Sequence, residues 1–456
     1  MRIFLALISL SLSSCLFAQT ENQLNINSAE PVTNPAVVNT PTESVVEIDS
    51  TAQEIIMDTE EKNSRFGNKR DKRKEPKRKL STAKKEVEAM PASPASMEEA
   101  EKLEEEVLDE LQIEESDAAV GGSVNLNAQG SAIPAIRSSE AYSTKSKGFS
   151  STIDRSNMQR KQRSPSFEQQ VKMDAAVNYF EVNDPTSFEY NYFKYTAGNY
   201  DVSLYDNLEV AEAARPNNAD VHVEMAGYYM IKEEKDSALV YLNKLVEAER
   251  LTENVVEYGG EVLRSVPEEG VLITHGFDDS YGAYLAQNQN NVRSDIKLMS
   301  LDFMQSEFYR QSLVEEGFIL PDSKIIDVDF LNDFCALNAN KKISIALTTP
   351  KEYFKPMRGK LFIVGLVFEY HEGRFDNFYS NDYLWNEEFE KGLIDNPGDE
   401  KGKQLSANYL PMLLYLRKVY DQKGETEKRD EVDRVTDHIG MQSNKYEQVQ
   451  KVKASY

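Results

Sequence analysis

The chain has 456 residues, and its 77 acidic and 52 basic side chains give a formal net charge of −25. Such an acidic composition excludes a general nucleic-acid binder, because that function needs a basic face for the phosphates. The length allows two or three domains, but residues 19–165 lack sustained apolar patterns and leave about 290 residues for packed structure.

The N-terminus predicts an export signal in residues 1–18. Arg2 precedes an apolar run over residues 3–12 that is too short to span a bilayer. Two alternatives fit the residues that follow: signal peptidase cleavage after Ala18, or a lipobox in which Cys15 is lipidated. The apolar stretch continues past Cys15, which favours cleavage after Ala18. We therefore expect an exported protein of the periplasm, or one associated with the outer membrane, with a lipid tether at most.

Residues 19–165 have the composition of a disordered, charged linker. A basic block extends from Lys62 to Lys85, and an acidic block covers residues 98–117. Ser, Asn and Gly are then frequent up to residue 164, and such a segment buries too little apolar surface to offset the entropy of ordering. The basic block either contacts anionic lipid or glycan, or it is a solvated segment that pairs loosely with the acidic block.

A 34-residue repeat follows the linker. Residues 185–218 and 219–252 align in register, with Tyr195 opposite Tyr229. This period is typical of the helix–turn–helix tetratricopeptide repeat, and arrays of such repeats usually present a protein-binding groove. Tyr195, His222 and Tyr229 are the candidate groove residues, and the alternative is that they belong to the core of the repeats.

The sequence pattern changes from helical to alternating after Gly270. Apolar segments that predict strands cover residues 271–274, 295–301, 342–347 and 361–370, the last with a bend at Gly365. Helical segments lie between them, which predicts a small, mostly parallel α/β sheet. The chain then returns to helix, with Gly424 between two helices.

The predicted fold class is therefore α+β or α/β, with tetratricopeptide-like helical repeats flanking a small α/β domain. The predicted order is a signal peptide (1–18), a charged linker (19–165), helical repeats (166–267), an α/β domain (268–373), and a loop with a C-terminal helical hairpin (374–456).

Part of the α/β domain resembles a known family. Gly-Phe-Asp-Asp-Ser-Tyr at residues 276–281 and Val-Arg-Ser-Asp-Ile at residues 292–296 resemble the soluble C-terminal region of a family of Bacteroidota multi-spanning membrane proteins of unknown function, distantly similar to O-mannosyltransferases. The resemblance covers residues 268–373. It implies a fold and a cell-envelope setting but no glycosyl transfer, because the membrane-spanning part of the family has no counterpart here. Phe277 also replaces the first Asp of the family pattern.

The polar turn after the first predicted strand is the sharpest candidate site. It contains His275, Gly276, Asp278, Asp279 and Ser280. Such a turn between a strand and a helix binds an anion through backbone N–H groups, or holds a metal through carboxylates. The structural alternative, which we favour, is that Asp279 or Ser280 is the N-cap of a helix beginning at Tyr281.

Other chemical signals are weak. Cys335 lies in an apolar helical pattern that predicts a buried, inert thiol. A polar segment from Phe375 to Trp385 carries several aromatic side chains, which either stack on sugar rings or fold back into the protein.

These patterns predict a non-enzymatic envelope scaffold that binds another envelope protein through its repeats, without cofactor, metal or nucleic acid. The alternatives are a hydrolase or carbohydrate-processing enzyme that uses Asp278 and Asp279, and a glycan-binding module that uses residues 375–385.

Overall fold

The computed structural model describes residues 140–153 and 162–455. The predicted signal peptide, Cys15, and the basic block from Lys62 to Lys85 lie outside the described residues. Within the described part of the chain, no helix combines the length and the apolar character needed to cross a membrane.

In the described part of the chain, seven α-helices come before the sheet. They are α1 Glu140–Ile153, α2 Phe167–Asn183, α3 Phe188–Ala197, α4 Tyr205–Ala214, α5 Ala219–Ile231, α6 Lys235–Glu247 and α7 Glu253–Ser265. From α1 to α6, each helix packs against the next one along the chain. Several starts are capped by side chains: Ser166 and Gln169 form a capping box at α2, and Asn218 accepts from two N–H groups at α5.

Helix α5 joins two apolar cores. Val221 and Met225 pack among the helices α1–α4, whereas Val223 and Ala226 belong to the larger core that surrounds the sheet. Every residue from 220 to 227 is buried, as expected for a helix that is covered on all sides.

Helix α1 corrects the predicted linker over residues 19–165. Tyr142 and Phe149 are buried, and the Phe149 ring stacks on Phe193 with 3.9 Å between ring centroids. The Tyr142 hydroxyl also donates to Glu189 at 2.7 Å. The sequence did not predict this helix, because its apolar face has only two large side chains, seven residues apart, among Ser, Lys and Gly. The linker prediction is therefore wrong for residues 140–153.

The sheet has five strands: β1 Val271–Thr274, β2 Lys297–Ser300, β3 Ile343–Ala346, β4 Leu361–Val364 and β5 Val367–Tyr370. Their order is β2-β1-β3-β5-β4. Strand β1 pairs in parallel with β2 and β3, whereas β5 pairs antiparallel with β3 and β4. The sheet is therefore mixed, and the prediction of a mostly parallel sheet is wrong.

The error comes from one turn. Residues 361–370 were expected to form a single strand, but they form the β4–β5 hairpin, in which Val364 pairs with Val367. Gly365 has a φ of +59°, as required at the first central position of a II′ turn, so the chain reverses where a bend was predicted.

Further helices connect and follow the strands. They are α8 Gly276–Gln289, α9 Glu307–Glu315, α10 Val328–Leu337, α11 Lys351–Phe354, α12 Phe378–Tyr383, α13 Gly392–Asp395, α14 Glu400–Ser406, α15 Leu410–Lys423, α16 Thr426–Gln442 and α17 Tyr446–Ala454. Gly424 ends α15 with a φ of +74° and separates it from α16, as the sequence predicted. The described chain is mostly helical with one small mixed sheet, which agrees with an α+β class.

Helices α7 and α8 are in backbone contact. A Cβ placed on Gly259 would lie 2.6 Å from the backbone nitrogen of Ala283, and one on Gly282 would lie 2.8 Å from the carbonyl oxygen of Val255. Only glycine permits this approach, which fixes α8, and the candidate turn at its start, against α7.

Candidate functional site

The carboxyl ends of β1, β2 and β3 meet at one edge of the sheet. Thr274 ends β1, Ser300 ends β2, and Thr348 follows β3. Strand β1 lies between β2 and β3. The chain therefore continues from β1 to β2 on one side, whereas β3 pairs with β1 on the opposite side. In open α/β sheets such a switch point is the usual place for a ligand.

Helix α8 begins at the turn itself, which corrects the predicted N-cap. The helix starts at Gly276, and its N-cap residue, His275, makes no side-chain capping bond. Asp279 and Ser280 are therefore inside the first turns of the helix. Gly276 has a φ of +71°, so the sharp change of chain direction occurs at this one residue and not over the five residues of the predicted turn.

The carboxylate of Asp302, just after β2, lies where the sequence predicted an anion. Gly276 N–H donates to Asp302 at 2.6 Å, and the other Asp302 oxygen accepts from the Arg163 guanidinium at 2.7 Å. Arg163 and Asp302 are both almost fully buried. The start of α8 is thus capped by a residue far away in sequence, and this carboxylate accepts the Gly276 N–H that an anion would have used.

The two aspartates of the turn are also held by the protein. Asp278 pairs with Lys401 at 2.7 Å, and Asp279 accepts a hydrogen bond from the Thr348 hydroxyl. Both side chains are buried. One oxygen of Asp278 is buried without a hydrogen bond to any described residue. This arrangement gives the hydrolase alternative no support, because both carboxylates are buried and held by Lys401 and Thr348.

A cavity of about 250 Å³ lies beside this edge, between β2, the side of α8 and the α5–α6 connection. Of the predicted turn residues, only Ser280 lines it. His275, Gly276, Asp278 and Asp279 do not. The structure therefore divides the predicted site into a buried polar cluster and one residue of a separate cavity.

The predicted groove residues do not form one surface. Tyr195 is fully buried in the core of α1–α5. His222 is also buried, and one ring nitrogen lies 2.8 Å from the carbonyl oxygen of Pro216. Burial lowers the pKa of His222, which favours the neutral ring. Tyr195 and His222 are thus part of the interior, and only Tyr229 is half-buried.

Tyr229 belongs to a cluster that the sequence did not single out. We call Tyr205, Tyr228, Tyr229 and Tyr241 the tyrosine surface. All four are half-buried. The ring centroids of Tyr205 and Tyr228 are 4.4 Å apart, those of Tyr229 and Tyr241 are 5.7 Å apart, and the hydroxyls of Tyr205 and Tyr229 are 2.8 Å apart.

Charged side chains border the tyrosine surface. Tyr241 donates to Glu212 at 2.9 Å, and Lys244 pairs with the same carboxylate at 3.1 Å. Burial and the Glu212 carboxylate raise the pKa of Tyr241, so its hydroxyl stays protonated. The Tyr228 hydroxyl makes no hydrogen bond to a described residue. The sequence signal for this cluster was the Tyr-Tyr pair at 228–229, but the partners from α4 and α6 depend on how the helices pack.

Residues 378–385 of the aromatic segment are helical, and only residues 375–377 lie outside a helix, which corrects the predicted glycan-binding loop. The helical part forms α12, followed by a short π-helix over Leu384–Glu388. Phe378 and Trp385 are buried, and Phe375 stacks on His371 with 3.9 Å between ring centroids. Phe378 and Trp385 therefore leave little ring surface for a sugar, whereas Phe375, Tyr379 and Tyr383 are half-buried.

An ion pair and a thiol complete the description of this domain. Arg293 and Asp295 form a two-bond ion pair, with both N–O distances at 2.9 Å. This guanidinium lowers the pKa of Asp295 to about 2. Cys335 is fully buried, and burial raises the pKa of its thiol, which keeps it protonated and inert.

Comparisons with known proteins found no relative of this chain. No protein-family model, no curated protein and no solved structure matches the chain. Among residues 140–153 and 162–455, no group of three or more His, Cys, Asp or Glu side chains has the arrangement of a metal site.

Proposed function

We propose that the protein is a non-enzymatic scaffold of the cell envelope, and that the tyrosine surface binds another envelope protein. The observation that carries this proposal is a cluster of four half-buried tyrosines on three consecutive helices. None of the four is among the fully buried residues of the two apolar cores. Tyrosine is enriched at protein interfaces because a large apolar ring and a polar hydroxyl are presented with little conformational entropy.

The helical arrangement supports the same proposal. Helices α3 and α4 form one pair, and α5 and α6 form a second, in the two units that the 34-residue period predicts. We propose that these pairs are tetratricopeptide-like repeats. Stacked repeats give an extended surface that suits protein recognition.

The charge around the tyrosine surface indicates the chemistry of the partner. Burial and the neighbouring carboxylates of Glu234 and Asp206 raise the pKa of Tyr228. Glu212 is already paired with Lys244, so it is the carboxylates of Glu234 and Asp206 beside the half-buried rings that favour lysine or arginine side chains on the partner. Binding should therefore weaken as the salt concentration rises.

Photocrosslinking in intact cells tests the proposal. A benzoylphenylalanine replaces Tyr228, and the matched control carries it at Tyr379, another half-buried tyrosine, on α12. We expect one abundant crosslinked protein from position 228 and none from position 379. The absence of any adduct from position 228, or identical adducts from both positions, would contradict the proposal.

A further inference from the structure

The cavity beside β2 has three hydroxyls at its base. Thr274, Ser280 and Ser300 line it and are at least 96% buried. Thr274 Oγ1 lies 2.9 Å from Ser280 Oγ and donates to the carbonyl oxygen of Met299 at 3.0 Å. Ser280 Oγ donates to Ser300 Oγ at 3.0 Å. The three side chains form one connected hydroxyl cluster.

One proton of this cluster has no acceptor among the described residues. Each hydroxyl has a single proton to donate. The Thr274 proton is directed to Met299, and the Ser280 proton to Ser300. Ser300 accepts and makes no donation to a described residue, although it is 96% buried. A buried donor without an acceptor costs free energy, so this hydroxyl favours an occupant that accepts a hydrogen bond.

The mouth of the cavity carries charges of both signs. Lys297 pairs with Glu233 at 3.2 Å and with Glu316 at 2.5 Å, and Lys235 lies beside them on the rim. The carboxylates of Glu233 and Glu316 offset the two lysines, and the Asp236 carboxylate also acts on the cavity residue Tyr284. The rim therefore has no excess of positive charge to attract an anion, and we expect an occupant without negative charge.

The walls of the cavity are formed in part by aromatic side chains, some of which carry a hydroxyl group. Tyr284, Phe303 and Tyr309 line the cavity, and the half-buried Tyr284 hydroxyl makes no hydrogen bond to a described residue. Burial raises the pKa of Tyr284 to about 12, so this hydroxyl is a donor at neutral pH. Apolar walls with a few converging polar groups are typical of small-molecule sites.

We propose that this cavity binds one neutral sugar ring. A sugar ring presents C–H faces to aromatic walls and hydroxyls that accept from Ser300 and Tyr284. The volume of about 250 Å³ equals that of roughly eight waters at ~30 Å³ each, which is enough for one sugar ring. The site is separate from the tyrosine surface and does not depend on its partner.

Saturation-transfer NMR with the full chain tests this proposal. The probes are glucose, galactose, mannose and N-acetylglucosamine, each at roughly 10 mM, where a site of about millimolar affinity is mostly occupied. We expect saturation transfer to at least one of them, and weaker transfer to glucose 6-phosphate than to glucose. No transfer to any neutral sugar, or stronger binding of the phosphate, would overturn the proposal.

Matched variants locate the binding. Ser300→Ala and Tyr284→Phe should each weaken the affinity about threefold to tenfold, as expected for one lost hydrogen bond. The control is Ser203→Ala at an exposed position, which should leave affinity unchanged. Melting temperatures establish that each variant is folded. Unchanged affinity in both folded cavity variants would place the sugar elsewhere and overturn the proposal.

Discussion

The two sides of helix α8 use polar side chains in different ways. On one side, Asp278 and Asp279 are buried against Lys401 and Thr348, and Asp302 caps the helix start. On the other side, Ser280 and Tyr284 face a cavity in which the Ser300 hydroxyl donates to no described residue. The charged residues that look most functional in the sequence thus stabilise the fold, whereas the less conspicuous hydroxyls remain available for binding.

The largest effect is expected at the buried ion pair that caps α8. Arg163→Met leaves the Asp302 carboxylate buried without its cation, which should lower the free energy of unfolding by about 3–5 kcal/mol. Chemical denaturation measures this change. The control is Lys172→Met, which removes an exposed pair with Glu168 and should have no measurable effect. Equal effects of the two substitutions would show that Asp302 does not depend on Arg163.

A smaller loss is expected where α8 contacts α7. Gly259→Ala places a methyl group against the backbone of Ala283 and should lower the free energy of unfolding by about 1–3 kcal/mol. Gly148→Ala is the matched control, because Gly148 is an exposed helical glycine of α1 with open space around it. Alanine there should stabilise by up to about 1 kcal/mol. Thermal denaturation should show a lower melting temperature for Gly259→Ala and an unchanged or higher one for Gly148→Ala. Changes of the same sign in the two variants would contradict this expectation.

The smallest effect concerns the ion pair that closes the loop after α8. The pKa of Asp295 in the folded protein, about 2, is below the ordinary value of 3.8. Its stabilising contribution is therefore complete above about pH 4 and is lost as the pH falls from there toward 2. Asp295 is partly exposed, so solvent screening limits the effect of Asp295→Asn to less than about 1 kcal/mol at neutral pH.

Denaturation at several pH values measures this difference. The difference between Asp295→Asn and the wild type should shrink as the pH falls from about 4 toward 2. Asp322→Asn, at an exposed position, is the control and should show no such trend. A constant difference over this interval would mean that the ion pair does not lower the pKa of Asp295.

Local patterns predicted much of the fold. The apolar runs located β1, β2 and β3, and the 34-residue period located the helices α3–α6. Helix α1 was missed because two aromatic residues in a polar segment are a weak local signal. The β4–β5 hairpin was missed because a glycine within an apolar run fits a bent strand as well as a turn.

The candidate site was predictable only in part. The sequence identified the polar turn after β1, but its partners are distant: Asp302 contacts Arg163 across 139 positions, and Asp279 contacts Thr348 across 69. An N-cap rule considers only neighbouring residues, so it assigned the cap to Asp279 or Ser280. The tyrosine surface likewise depends on the packing of three helices, which periodicity alone does not specify.

The two sides of α8 are compared most directly by the unfolding free energies of two variants. Thr348→Val removes the donor to the buried Asp279 carboxylate and should cost about 1.5–3 kcal/mol. Ser300→Ala should cost less than about 1 kcal/mol, because Ser300 donates to no described residue and the Ser280 proton can turn to Thr274. A clear excess for Thr348→Val is the predicted result. An equal or larger cost for Ser300→Ala would contradict the account, because the cavity hydroxyls would then be needed for folding.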